Sequence, residues 1–163
     1  MTVVAVNQSI QAINNSIDAI LKVSDNLSEE TIRWNPTNEE WSILQIISHL
    51  NEAVPYWLNE IDRVLAEPGA QWGRGLQDSA RLAAVVNPDE LNVSEQFAEF
   101  KELKQKVADG LENLSEEDLK AENPHRNFEK FGNKPVSFMI EHFLEEHVEK
   151  HYSQVQRNLS KLD

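Results

Sequence analysis

Residues 137–159 read SFMIEHFLEEHVEKHYSQVQRNL, and the apolar residues in this segment recur every three or four positions. This spacing predicts an amphipathic helix that begins near Ser137, ends near Leu159 and turns one face toward a hydrophobic core. Two positions of that face are His147 and His151, where Leu, Ile or Val would be usual. Their side chains differ by about 40° in direction on a helix, so both imidazoles can point at one shared atom. The predicted inner face comprises Ile140, Phe143, Leu144, His147, Val148, His151 and Val155.

Three earlier segments have the same helical spacing of apolar residues. The predicted helices are Val3 to about Ser24, one that begins at Ser42, and one from Asn92 or Ser94 to about Gly110. The start of the second helix is the best defined, because Ser42 is followed three residues later by Gln45, which is a capping-box pattern. With the helix that carries the histidine pair, the chain has four long amphipathic helices.

The segment between the second and third helices, from Ala66 to Leu91, is long and irregular. It contains Pro68-Gly69 and Asn87-Pro88, with a short helix predicted around residues 78–86. A connection of this length favours a crossover over a tight hairpin. We therefore predict an all-α protein, a four-helix bundle with a long crossover between helices 2 and 3, in which residues 1–163 form a single domain.

The composition excludes several classes of function. The chain has 28 acidic and 15 basic residues and a formal net charge of −13, and such a surface repels nucleic acid and anionic membranes. No apolar run is long enough for a membrane span, and the N-terminus lacks the pattern of a secretory signal. We therefore expect a cytoplasmic protein with no nucleic-acid or membrane partner.

The histidines suggest a metal centre. The chain has no cysteine, so a bound metal would have only His, Asp, Glu or water as ligands. His49 lies at the edge of the inner face of the second helix, from which it could join His147 and His151. The alternative is that these histidines are buried core residues satisfied by ordinary hydrogen bonds. We expect His142 to point away from the pair into solvent, and His125, in the loop before the last helix, cannot be placed.

Other side chains are candidates for supporting roles. Gln154 borders the histidine face and could support a ligand or contact a substrate. Trp72, in the glycine-flanked part of the crossover, is a candidate wall of a substrate pocket, although a loop tryptophan more often covers the edge of the core. Glu52 and Glu60 could act as a general base, whereas Glu146 and its acidic neighbours are predicted on the far side of the last helix.

Two motifs resemble those of the DinB/YfiT-like superfamily. Residues 41–50, WSILQIISHL, are similar to its second-helix signature, and residues 147–154, HVEKHYSQ, to its last-helix His-x-x-x-His-x-x-Gln signature. Gly132 and Ser137 also fit that family. The resemblance implies a four-helix bundle of up-down-down-up type and a divalent metal held by His49, His147 and His151. It also implies a homodimer.

The resemblance further implies an activity. Relatives include metal-dependent transferases and isomerases that use a low-molecular-weight thiol such as bacillithiol, mycothiol or glutathione. We expect a small-molecule substrate and a centre that holds zinc, nickel, iron or manganese. Two alternatives stay open at this point: hydrolysis by water activated at the metal, and a non-catalytic metal-binding or dimerisation module.

Overall fold

Four long helical segments dominate the computed structural model, which describes residues 3–162. The helices in chain order are α1 (Val4–Ser24), α2 (Glu29–Arg33), α3 (Ile43–Ala66), α4 (Ser79–Val86), α5 (Val93–Leu111), α6 (Glu116–Lys120), α7 (Phe128–Phe131), α8 (Val136–Ile140) and α9 (Glu146–Ser160). The fourth long segment consists of α8, a π-helical stretch (Glu141–Glu145) and α9. The predicted four-helix bundle is confirmed, and its long helices are α1, α3, α5 and the α8–α9 segment.

Side-chain caps fix where the long helices begin. The Oγ of Ser42 accepts from the backbone N–H of Gln45 at 3.1 Å, and the Gln45 side chain accepts from the Ser42 N–H at 2.9 Å. This is the predicted capping box, and it places the start of α3 within two turns of His49. Asn92 caps α5 in a similar way, accepting from the N–H of Glu95 at 2.9 Å.

The core lies between the predicted inner faces of the four long helices. The main neighbours of α1 are α5 and α9, and α3 packs chiefly on α5, with further contacts to α4 and α9. This order places α5 between α1 and α3, as expected when the second connection crosses over. Fully buried members of the predicted faces include Ile13, Ile17, Ile20, Ile46, Leu50, Ile61, Phe100, Leu103, Leu144, Val148 and Val155.

The crossover of residues 67–92 is held against α3. Its helix α4 agrees with the short helix predicted around residues 78–86, and Asp78 caps it by accepting from the N–H of Arg81 at 3.1 Å. Two side chains of α3 bind the last turn of α4: Gln45 donates to the carbonyl of Val85 at 2.9 Å, and Ser48 donates to that of Ala84 at 2.6 Å. The crossover is therefore attached beside the start of α3.

A small β-ladder, which the helical pattern did not predict, joins the crossover to the approach to α8. Strands β1 (Glu122–Pro124) and β2 (Asn133–Pro135) pair antiparallel, and Trp72 forms a parallel bridge with His125. The indole of Trp72 is 1% exposed, and its Nε1–H donates to the carbonyl of Asn123 at 3.0 Å. The prediction that Trp72 lines a substrate pocket is wrong, because this ladder inserts the ring into the core.

None of the helices within residues 3–162 combines the length and the apolar character that a membrane span requires.

Candidate metal centre

The structure brings His49, His147 and His151 together from two helices. His49 comes from the second turn of α3, and the other two lie one turn apart on α9. Each ring offers one nitrogen, and these three nitrogens lie within 4.8 Å of one another. The cluster is well shielded from solvent, since His49 is 1% exposed and His151 8% exposed. A cluster of this kind can hold a single metal ion.

Hydrogen bonds fix the tautomers of the two α9 histidines. The Nδ1–H of His147 donates to the carbonyl oxygen of Phe143 at 3.2 Å, and that of His151 donates to Oε1 of Gln154 at 2.7 Å. In each ring the Nε2 atom then carries the free lone pair. Carbonyl and amide acceptors behind the outer ring nitrogen are the usual support of a metal-ligating histidine. Gln154 contacts His151, which agrees with the supporting one of the two roles predicted for it.

The third histidine completes the set of donors. Nε2 of His49 lies 3.1 Å from Nε2 of His147. Two imidazoles with metal–nitrogen bonds of about 2.0–2.1 Å are separated by roughly 3.3 Å across a tetrahedral angle, so the observed spacing fits a shared ion. Among the described residues, no group hydrogen-bonds the buried Nδ1 of His49, and the ring packs beside Trp41 with the centroids 5.0 Å apart.

All three imidazoles are neutral at physiological pH. Burial lowers the pKa of His49 to about 2, that of His147 to about 3 and that of His151 to about 4. Positive charge nearby acts in the same direction, and the guanidinium of Arg81 contributes at each of the three rings. A neutral imidazole is the form that binds a metal, so these pKa shifts keep the donors available.

A cavity of about 390 Å³ opens onto the three histidines. Its size suits a small molecule rather than a macromolecule. One wall is aromatic, with Trp57 and Phe143 stacked at a centroid distance of 4.1 Å. Cationic side chains contributed by both the crossover and α9 also line it, namely Arg74, Arg81 and Lys150.

The π-helical stretch changes which residues of the last helix face this cavity. His142 and Glu146 both line it, and Nδ1 of His142 lies 3.1 Å from a carboxylate oxygen of Glu146. Both side chains are exposed, which agrees with the prediction that His142 is solvated, but the prediction that the two residues face away from the histidine pair is wrong. A π-helical turn accommodates one extra residue, and this rotates the side chains of the preceding residues by roughly 100° about the helix axis. Positions five residues apart, such as 142 and 147, then lie on one face of the helix.

The carboxylates predicted as candidate bases are occupied elsewhere. Glu60 accepts two hydrogen bonds from Arg63, at 2.8 and 3.0 Å, and one from the backbone N–H of Gly73 at 2.8 Å. Glu52 forms a two-pronged ion pair with Arg74, at 2.5 and 2.7 Å. Neither glutamate lines the cavity. Both therefore attach the crossover to α3, and the structure places neither of them at the histidines, where a general base would have to lie.

The remaining histidine, His125, has a structural position. It is 7% exposed, packs edge-on against Trp72 with centroids 4.6 Å apart, and accepts a hydrogen bond from the backbone N–H of Asn127 through Nδ1 at 2.9 Å. It belongs to the β-ladder and does not line the cavity of the three histidines.

Comparisons with known proteins agree with this architecture. The chain superimposes on YfiT from Bacillus subtilis with a TM-score of 0.79 at 12% sequence identity, over 96% of this chain and 87% of that one. YfiT is described as a probable metal-dependent hydrolase with an unusual four-helix bundle topology. No curated protein sequence matches the chain significantly. The sequence profile of the DinB superfamily matches residues 12–155, and the chain therefore belongs to the DinB superfamily.

Proposed function

We propose that this protein is a divalent-metal-dependent enzyme for a small-molecule substrate, with the metal held by His49, His147 and His151. The observation that carries the proposal is the orientation of the donors at the cavity. Two of the rings have their outer nitrogen engaged by an acceptor, so that their free lone pairs are available within 4.8 Å of the third ring. Histidines that served only as packing residues would not need this arrangement beside a cavity.

Three neutral protein ligands leave room for an exogenous group, which is typical of a catalytic rather than a structural site. A divalent metal there would supply Lewis acidity and would lower the pKa of a thiol or water that it bound. The chain itself orients the donors through Gln154 and the Phe143 carbonyl. The aromatic wall formed by Trp57 and Phe143 would exclude water from an apolar part of the substrate.

We favour transfer or isomerisation with a low-molecular-weight thiol as cosubstrate. Two cationic side chains in the cavity wall without an ion-pair partner among the described residues, Arg81 and Lys150, would favour a thiolate there. The chain has no cysteine of its own, so such a thiol would come from solution. Zinc, nickel, iron and manganese all accept imidazole ligands, and availability would select among them.

Hydrolysis is the second candidate, and one observation favours it. His142 and Glu146 form a hydrogen-bonded pair in the wall of the same cavity. A histidine held by a carboxylate can accept a proton from water, which is the function that a general base must supply. The fold shared with YfiT is compatible with this alternative.

Metal content tests the proposal first. We expect about one metal ion per wild-type chain after incubation with zinc, nickel or manganese and desalting, and loss of that ion in His49→Ala and His151→Ala. His125→Gln is the matched control, because it also changes a buried histidine but lies outside the cavity. A wild-type protein that retains no metal would contradict the proposal and leave a non-catalytic binding or dimerisation module.

Activity then separates the two reactions. The metal-loaded protein is assayed with 1-chloro-2,4-dinitrobenzene and glutathione, bacillithiol or mycothiol, and separately with a panel of esters and no thiol. We expect thiol-dependent turnover that His142→Ala leaves measurable. Ester cleavage without thiol that His142→Ala abolishes would favour hydrolysis instead. We also expect a homodimer, which sedimentation equilibrium measures directly.

A further inference from the structure

The crossover places two arginines in the wall of the cavity, and they differ in how their charge is compensated. The guanidinium of Arg74 forms the two-pronged ion pair with Glu52, lies 3.4 Å from a carboxylate oxygen of Asp78, and stacks 3.9 Å above the ring of Tyr56. Its side chain is 7% exposed. Arg74 is thus a structural cation, neutralised by the protein around it.

Arg81 lacks such a partner. Its side chain donates to the carbonyl oxygen of Leu76 at 3.1 Å, and within residues 3–162 no carboxylate oxygen lies within 4.0 Å of its guanidinium. A guanidinium has five N–H donors in a planar fork, so most of its hydrogen-bonding capacity is unused by the protein. The group is half-buried in the cavity wall, and burial lowers the pKa of Arg81, because the carboxylates of Glu52 and Asp78, which are engaged with Arg74, offset the cost only in part.

The position of Arg81 connects it to the three histidines. Its guanidinium lies 5.9 Å from the centroid of the Trp41 ring, and that ring packs on His49 and stacks parallel to His151 at 6.2 Å. The positive charge is close enough to contribute to the lowered pKa of every ring in the cluster. Arg81 and two of the metal-binding histidines therefore lie beside the same aromatic ring.

The rest of the cavity does not neutralise this charge. Among the described residues that line the cavity, Glu146 is the one with a carboxylate, and this group is hydrogen-bonded to His142. Lys150 adds a second cation with no carboxylate within 4.0 Å in the described part of the chain. A cavity with unpaired positive charge in a protein of net charge −13 selects for an anionic occupant.

We propose that Arg81 binds a carboxylate group of the substrate while the reacting atom of that substrate lies at the three histidines. This inference rests on the proposed metal-dependent function and names the class of molecule that the enzyme takes. A carboxylate matches the planar fork of a guanidinium with two parallel N–H···O bonds, which fixes orientation as well as position. The substrate is thus a small carboxylic acid with its reactive group a few bonds away.

The test uses two thiols of similar length that differ in charge. The cobalt-loaded protein is titrated with 3-mercaptopropionate and with 3-mercapto-1-propanol, and binding is followed by the thiolate-to-cobalt absorption band. We expect the wild type to bind the carboxylate-bearing thiol roughly tenfold or more tightly. Arg81→Met should bring the ratio of the two dissociation constants close to one. Arg157→Met, which removes an exposed arginine on α9 that does not line this cavity, should keep the wild-type ratio.

Each outcome decides one of the two proposals. Equal binding of both thiols by the wild type, or an unchanged ratio in Arg81→Met, would overturn the role of Arg81 while leaving the metal centre intact. If Arg81→Met does not fold, Arg81→Lys replaces it, and loss of the fork should still reduce the ratio several-fold.

A wild type that binds cobalt but neither thiol would contradict the thiol-dependent reaction and would leave the metal centre itself intact. The role of Arg81 is then decided in metal-free protein, with 3-phenylpropionate and 3-phenyl-1-propanol as probes and the indole NMR signals of Trp41 as the readout. Preference for the carboxylate, lost with the Arg81 variant, supports the inference. Absence of that preference overturns it.

Discussion

Replacing Gln154 by leucine tests how the centre is supported. The substitution keeps the approximate size of the side chain but removes the acceptor that lies 2.7 Å from Nδ1 of His151. Loss of such a supporting acceptor typically weakens metal affinity by about 10- to 100-fold, or about 1.4–2.7 kcal/mol. The hydrogen bond is short and His151 is only 8% exposed, so water cannot easily take the place of the amide oxygen. We expect an effect in the upper half of that range.

Competition against a chelator of known zinc affinity measures this effect. Gln156→Leu is the matched control, because Gln156 is exposed on the same helix and its amide donates only to the hydroxyl of Tyr152 at 3.0 Å. We expect that variant to bind zinc as the wild type does. Gln154→Glu keeps an acceptor and adds negative charge, so its zinc affinity should equal or exceed that of the wild type.

The reasoning would be refuted if Gln154→Leu bound zinc as tightly as the wild type while His151→Ala lost it. That result would mean that packing alone orients the imidazole of His151, without help from the hydrogen bond behind it. Equal weakening by Gln154→Leu and Gln156→Leu would instead indicate a general loss of helix stability, and circular dichroism of both variants would show it.

Three further predictions concern stability, each measured by urea unfolding of the metal-free protein. Burial lowers the pKa of His151 from 6.5 to about 4, so between these two pH values the unfolded chain binds a proton that the folded protein does not. The free energy of unfolding should therefore fall by about 2 kcal/mol between pH 7.5 and pH 5 because of this group, and His151→Gln should lack that contribution. Burial raises the pKa of Glu60, but hydrogen bonds led by that of Arg63 outweigh it and lower the pKa overall. Glu60→Gln should therefore cost about 1–3 kcal/mol at pH 7, and the cost should vanish in acid as the wild-type carboxylate protonates. A methyl group at Gly110 would lie 3.1 Å from a methyl carbon of Leu58, so Gly110→Ala should destabilise the wild type yet gain about 1 kcal/mol in a Leu58→Ala background.

The bundle and the three histidines were predictable because they depend on local spacing. The 3–4 periodicity determines which face of each long helix is buried, and the capping box at Ser42 fixes the register of α3 relative to His49. To form a three-histidine cluster, the i, i+4 pair on α9 needs one more histidine from a neighbouring helix. His49 supplies it, because α3 packs beside α9 in the bundle.

The wall of the cavity was not predictable in the same way. The apolar spacing of the last helix fits a straight α-helix equally well, so the sequence did not reveal the π-helical turn. His142 and Glu146 were therefore assigned to the wrong face. Trp72 was misplaced because its position depends on a bridge to His125, some fifty residues later in the chain. No sequence pattern pointed to Arg81. Its place in the cavity wall follows from the attachment of α4 to α3, which depends on the tertiary structure.

His49 and His147, whose Nε2 atoms face each other at the centre, are 98 residues apart along the chain. A metal shared between them would join two distant parts of the chain, which the unfolded chain could bring together only at a cost in conformational entropy. Because the unfolded chain has no preformed site, every increase in free metal above the dissociation constant would add to the free energy of unfolding. Metal supply would thus govern how long the folded protein persists as well as whether its centre is filled.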